Sequence, residues 1–361
     1  MWFVPPWAPA PIAYPLSTVS RTIPSSIGRY QVLERLLSAR YDDVYKAFDP
    51  MIERHLVVKT FSLEGVDPAA VEGIRAVFFG EMPRIGLLTH PGITTLFDAG
   101  ELPRGLFLAT EFVEGISLAD HLATGLPLGS AERMSLVVQL ADALEYAHEQ
   151  GVPHLHLKPS SVIVGADFIP KIRGFGVAGV EDVLEAAGHR PDADELSERA
   201  VFAAPERVAG RRGDVRSDVY SIGSLAGRML GGMDIDPAQR DAAQAAIDRA
   251  RAASPDDRFD SVRAFKYTLL LALGVDETLV RAAFDATREA SSVLAADAST
   301  LADLAHTAVN GDLTAMVEVT RLSPSGAEEM ATRLAEPAPA GGQTVTQSQP
   351  AQTGDDPRKP S

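Results

Sequence analysis

The chain has 361 residues, 45% of them apolar, which is enough for one two-lobed core or two ordinary domains with short appendages. Its 33 basic and 49 acidic residues leave a formal charge of −16, a balance that repels nucleic-acid backbones and anionic membrane surfaces, so neither is expected as a partner. The absence of cysteine excludes disulfides, thiolate chemistry and cysteine-ligated zinc, and fits a reducing compartment.

Residues 1–27 open with MWFVPPWAPAPIAYPLSTVS, where prolines 5, 6, 9, 11 and 15 break any helix and no basic segment precedes the apolar stretch. A Pro-rich arm without regular structure is expected there rather than a signal or an anchor. The longest later apolar run, roughly 267–275, falls short of the ~20 residues that span a bilayer, so no membrane insertion is expected and the cytoplasm is the expected location.

From Tyr30 to Glu114 the pattern is short alternating runs (YQVLERLL, DDVYKAF, HLVVKTF, GITTLFDAG, GLFLATEF) with one helical stretch over about 71–88. That describes a small sheet with one helix. Helices dominate from Ser117 onward. Residues 131–150 carry apolar side chains at helical spacing before Gly151, SVIVGADFIPKI reads as a short hairpin, and helical periodicity resumes over 218–230, 237–252 and 258–272. Beyond Asp276, Ala-rich amphipathic stretches predict a helical extension over 276–335, and residues 336–361 have the composition of a disordered tail.

Lys59 in LVVK, the loop His154-Leu155-His156-Leu157-Lys158-Pro159, Gly174-Phe175-Gly176, Ala204-Pro205-Glu206, Asp218 in SDVYSIG and Arg258 in SPDDRF stand at the joints of these segments in an order and spacing that resemble those of protein kinases, specifically the bacterial Hanks-type serine/threonine group. The family's V-A-x-K lysine corresponds to Lys59, and its helix-C glutamate to Glu81, a pair that the resemblance implies should tie the helix to the sheet. The hinge resembles EFVEGISL, beginning at Glu111. The H-R-D-L-K-P-x-N loop falls on His154, Leu155, His156, Leu157, Lys158, Pro159, Ser160 and Ser161, and D-F-G on Gly174, Phe175 and Gly176. Ala204, Pro205 and Glu206 match A-P-E, Asp218 the buried helix-F aspartate, and Arg258 the arginine that pairs with the A-P-E glutamate. The resemblance covers roughly residues 28–272. It implies an α+β, two-lobed kinase-like domain over 28–275, with a β-rich N-lobe over 28–110 and a helical C-lobe over 111–275.

Several departures from the family pattern fall on its chemistry. Phosphoryl transfer needs backbone amides over the phosphates, a lysine, two metal ligands and an aspartate that orients the attacking hydroxyl. The glycine-rich loop falls on residues 37–42, with Leu37, Ala39 and Asp42 in place of its three glycines. His156 stands at the catalytic aspartate, Ser161 at the metal-binding asparagine and Gly174 at the metal-binding aspartate, while Lys158 is retained. Magnesium takes oxygen ligands, usually carboxylates, so it is not expected here. Val57 narrows the adenine slot, Leu155 removes the arginine that would grip an activation-loop phosphate, and Arg199 stands where a threonine is usual. Only six residues separate Leu230 from Pro237, where active relatives carry a full helix.

What remains (Lys59, Glu81, His154, Phe175, Gly176, Glu206, Asp218, Arg258) is mostly the architectural set. The reading is a pseudokinase: a scaffold or allosteric regulator that binds another signalling protein, an active kinase being one such partner. It leans away from an enzyme, with no cofactor expected and ATP the one nucleotide left in view, through Lys59 and Glu81. Two alternatives stay open. One is a divergent ATP-dependent serine/threonine kinase or nucleotidyl transferase in which Asp42, Asp167 or an activation-segment carboxylate holds the metal. The other is a nucleotide sensor that binds ATP without metal. The segment 174–206 is acidic (Glu181, Asp182, Glu185, Asp192, Asp194, Glu195, Glu198) and is expected as a solvated loop, with a docking face for a basic partner as the sharper reading. Thr344, Thr346 and Thr353 are candidate phosphorylation sites in what is expected to be a solubilising tail.

Overall fold

A computed structural model describes residues 23–38, 42–124, 129–166, 168–189, 193–231, 233, 235–278 and 280–281. Ala39, Asp167, nearly all of the 276–335 extension and the three tail threonines lie outside these residues.

The N-lobe is an antiparallel sheet of β1 (Ser26–Ile27), β2 (Tyr30–Ser38), β3 (Asp42–Asp49), β4 (Arg54–Ser62), β5 (Leu96–Leu102) and β6 (Gly105–Glu111), in the spatial order β1-β2-β3-β4-β6-β5. β1 falls within the residues expected as an arm, because Ser26 and Ile27 pair with Gln31 and Tyr30. Register places Val44 opposite Lys59 and Lys46 opposite Val57, so these four side chains share one face. The other face buries Tyr30, Tyr45, Ala47, Leu56, Val58 and Phe107 as a small separate core.

Helix α1 (Pro68–Ile85) starts earlier than the spacing predicts. Asp67 accepts a hydrogen bond from the Ala69 amide and Pro68 supplies a preset first turn. Its buried stripe of Ile74, Phe78, Met82 and Ile85 joins the main core, which continues through Leu140 and Leu144 to Phe265. One apolar core therefore runs through both lobes.

The C-lobe contains α2 (Leu118–Thr124), α3 (Ser130–Glu149), α4 (Val177–Ala186), α5 (Ala193–Phe202), α6 (Pro205–Val208), α7 (Val215–Leu230), α8 (Pro237–Ala250) and α9 (Val262–Ala272). A small sheet of β7 (Ile116–Ser117), β8 (Val162–Val164) and β9 (Pro170–Ile172) joins the lobes at the cleft. The shifted starts of α7 and α9 follow from caps: Asp214 opens α7 with a capping box and Ser261 accepts from the Ala264 amide of α9, while α8 starts at Pro237 as the spacing predicts, with Asp236 accepting from the Ala238 amide. No helix among the described residues is long and apolar enough to cross a membrane.

The segment after Gly176 departs most from expectation. Instead of a solvated loop it forms α4 and α5. Val177, Val180 and Leu184 recur at helical spacing and are buried, which outweighs the solubility of the intervening acids.

Candidate functional site

Asp218 on α7 is fully buried and organises the loop that bears the expected catalytic positions. Its carboxylate accepts the backbone N–H of His154 and of Leu155, each at 2.7 Å, and lies 2.7 Å from His148 Nε2. Burial would raise its pKa, but the His148 hydrogen bond and the neighbouring imidazoles and amides outweigh it and hold the carboxyl below its usual range. The two amide bonds also fix Leu155 at φ +62°, a left-handed conformation that costs a residue with a branched side chain about 1 kcal/mol or more. His154 Nε2 meets the Arg173 carbonyl at 3.1 Å and its ring packs edge-on to Phe175 at 4.7 Å. His154, Phe175 and Asp218 thus tie the loop to the strand before Gly174. Burial lowers the His154 pKa.

Glu206 and Arg258 form a second buried anchor. Both terminal guanidinium nitrogens of Arg258 donate to the carboxylate, at 2.8 and 2.7 Å, and the Ser217 hydroxyl adds a third bond at 2.7 Å. Burial alone would raise the Glu206 pKa, but the bonds from Arg258 and Ser217 lower it to about 2.

The expected ion pair between Lys59 and Glu81 does not form. Lys59 Nζ lies 2.9 Å from Asp42 Oδ2 and 2.9 Å from Glu181 Oε1, and the other Glu181 oxygen is 2.6 Å from His156 Nδ1. The cause is the placement of α4 against α1. A Cβ built on Gly176, at φ +74°, would meet Ile85 Cδ1 at 1.8 Å, and one on Gly179 would meet Val77 Cγ1 at 3.4 Å. With α4 wedged there, Glu181 on its first turns reaches the lysine and Glu81 does not. Burial would lower the Lys59 pKa, yet Glu181 and Asp42 outweigh it and hold the ammonium above its ordinary value. Glu181 is likewise held well below the usual carboxylate range, because Lys59 and His156 overcome the burial that would raise it.

Three further acids of the segment have partners within the fold. Asp182 accepts two bonds of 2.8 Å from Arg207, and Glu185 pairs with Arg199, the residue at the threonine position. Glu198 accepts from the Ser160 amide at 3.2 Å and from the Ser160 hydroxyl, with Lys158 Nζ at 3.6 Å. Each of these four acids, Glu181 included, therefore has a basic or hydroxyl partner within the fold. Asp192 and the side chains of Asp194 and Glu195 lie outside the described residues.

The positions expected to hold phosphate and metal have other work. Ser161 Oγ accepts from the Lys158 amide at 3.0 Å and donates to the Lys158 carbonyl at 2.7 Å, closing the turn over Pro159–Ser161. Gly174 has φ +95°, where an aspartate would be strained, and offers no carboxylate. In the degenerate glycine loop Leu37 is exposed, the Ser38 hydroxyl donates to Asp43 at 2.6 Å, and Asp42 is engaged by Lys59. At the hinge, Lys46 sits over the Phe112 ring at 4.4 Å and Lys171 pairs with Glu111 at 2.6 Å. A nucleoside triphosphate beside Lys59 would face the two carboxylates that flank this lysine, and like charges about 4 Å apart cost about 4 kcal/mol at an effective dielectric of about 20.

Sequence reasoning named Glu181, Asp182 and Glu198 only as members of an acidic segment, without their partners, and did not single out His148 or Arg207. The spacing of Val177, Val180 and Leu184 could have shown α4 as a helix, but nothing in the sequence couples Glu181 to a lysine 122 residues away.

Residues 30–273 match the protein kinase domain family. Among curated proteins, the chain is 29% identical over 225 residues to the serine/threonine-protein kinase Pkn1 of Myxococcus xanthus, covering 54% of this chain and 32% of that protein. It is 27% identical over 216 residues to the serine/threonine-protein kinase PknB of Mycobacterium tuberculosis, covering 58% and 34%. It is 26% identical over 207 residues to the probable serine/threonine-protein kinase PknB of Lactococcus lactis, covering 56% and 32%. The chain spans about a third of the length of these relatives.

Proposed function

Because this chain belongs to the protein kinase family, we propose that it has kept that family's two-lobed scaffold and uses it as a pseudokinase, binding another signalling protein without transferring phosphate. An active kinase is one partner of that kind, and the cysteine-free composition supports a cytoplasmic setting. The observation that carries the reading is Lys59 held between Asp42 and Glu181, with His156 on the second Glu181 oxygen. His156, which replaces the family's base, and Asp42, which replaces the last glycine of its phosphate loop, are parts of one ion network with that lysine.

The chemistry points the same way. Phosphoryl transfer depends on neutralising charge that develops on the transferred group, which the family does with metal ions held by carboxylates. Here Gly174 and Ser161 offer no carboxylate. His156, at the position of the family's base, has its Nδ1 2.6 Å from Glu181 Oε2. A base without the ions would leave most of the barrier standing.

One observation favours a second reading. Asp42 and Glu181 converge beside Lys59, as a rearranged metal site in a divergent kinase or nucleotidyl transferase would require. Against it, the ammonium itself sits between the two carboxylates, where the ion would have to go, and the described residues include no group of three or more His, Asp or Glu side chains able to hold a metal. Thermal unfolding with and without ATP, in magnesium and in chelator, separates the readings, since a ligand that binds the folded state raises its stability by mass action. The pseudokinase reading predicts no shift in any condition. A magnesium-dependent shift would put the second reading first, and a shift in chelator would indicate a metal-independent nucleotide sensor.

A further inference from the structure

Helix α4 is held in its groove by two kinds of contact. Val177, Val180 and Leu184 are buried along one face. Between them, Glu181 reaches Lys59 and His156 while Asp182 takes two bonds from Arg207. Those three basic side chains come from β4, from the loop before Ser161 and from α6, three separate parts of the fold. In a chain with a net charge of −16, they converge on a single helix. The helix is also a separable unit. Gly176 precedes it and Gly188 follows it, both in left-handed conformations, so no regular element continues from either end.

We propose that the groove beneath α4 is a docking site for an acidic amphipathic helix of a partner protein, and that α4 is the chain's own occupant of it. The geometry specifies the partner helix: apolar residues at its first, fourth and eighth positions, matching Val177, Val180 and Leu184, and acids at its fifth and sixth, matching Glu181 and Asp182. Such a helix would displace α4 and take over Lys59, His156 and Arg207. A tethered helix competes at a local concentration in the millimolar range, so the wild-type groove is closed to a weak competitor and opens only to a partner that binds more tightly or loosens α4. This inference rests on the reading that the cleft no longer serves phosphate transfer. The two fail separately, because phosphate transfer by the wild-type chain would overturn that reading whether or not a peptide binds.

The test uses the full chain and a fluorescently labelled peptide of residues 176–189, with binding read by anisotropy. The Glu181→Gln/Asp182→Asn chain weakens the tethered helix without changing its size, and it should bind the peptide at least tenfold more tightly than wild type does. A peptide carrying the same two substitutions should not bind, and added salt should weaken the native peptide. If circular dichroism shows that the double variant is unfolded, Leu184→Ala, which keeps both acids and removes an apolar anchor, takes its place with the same expected gain. Equal affinity for wild type and variant, no binding to the folded variant, or equal binding of the neutral peptide would each overturn the proposal.

Discussion

Replacing Glu181 by glutamine keeps the volume of the side chain and removes the charge on which Lys59 and His156 converge. Breaking a fully buried ion pair costs about 3–5 kcal/mol. Here the Lys59 and Glu181 side chains are 23% and 25% exposed and Asp42 still holds the lysine, so the expected loss is smaller, about 1–3 kcal/mol. In urea, with a slope of about 3 kcal/mol/M, that is a fall in midpoint of about 0.3–1 M. Glu81→Gln should change stability by no more than about 0.5 kcal/mol, because Glu81 is not the lysine's partner. A double-mutant cycle between Glu181→Gln and Lys59→Met should give a coupling of about 0.5–3 kcal/mol. The pH dependence has a definite sign. Glu181 titrates below its unfolded value, so its contribution is complete above about pH 4.5 and is lost as the pH falls, and the variant should lose that part of the acid slope. If Glu181→Gln is as stable as wild type, or if Glu81→Gln costs more, the network described here is wrong.

Arg258→Ala should cost about 3–5 kcal/mol in chemical denaturation, since it leaves the Glu206 carboxylate buried without its main partner. With the Glu206 pKa depressed to about 2, the wild-type pair contributes above about pH 4.5 and fades toward pH 2, and this acid-limb contribution should be absent in Glu206→Gln. Gly176→Ala should destabilise by roughly 2–4 kcal/mol, because φ +74° is strained for alanine and its methyl would meet Ile85, and the unfolding midpoint should report it directly. His90 accepts the Gly92 amide at 3.0 Å, and burial, assisted by Lys266 and Lys171, lowers its pKa to about 4. The folded state therefore resists protonation there, and stability should decline as the pH falls from about 6.5 toward 4, less steeply in His90→Asn.

The parts of the fold that were legible in the sequence are those fixed by local pattern or by a retained landmark. Alternating strands and 3.6-residue periodicity place β2 to β6, α1, α3 and α7 to α9, with errors of a few residues that trace to capping by Asp67, Asp214 and Ser261. Asp218 and the Glu206–Arg258 pair sit where the motifs put them because each is held by bonds within the C-lobe. The Lys59 pairing was not legible. Glu81 and Glu181 are both carboxylates within reach of the cleft, and which one meets the lysine depends on how α4 packs on α1, a tertiary outcome. Charge counting also misled over 174–206. Seven acids suggested solvent, yet four of them have basic or hydroxyl partners inside the fold.

The most direct test of the central claim is phosphate transfer from labelled ATP, in magnesium, to the chain itself and to a general protein acceptor, with Lys59→Ala assayed beside it. A chain whose lysine is held by Asp42 and Glu181, and whose metal-binding positions are Gly174 and Ser161, should incorporate no label above that of the variant. Incorporation by the wild-type protein that disappears in Lys59→Ala would contradict the account and make the chain an active enzyme.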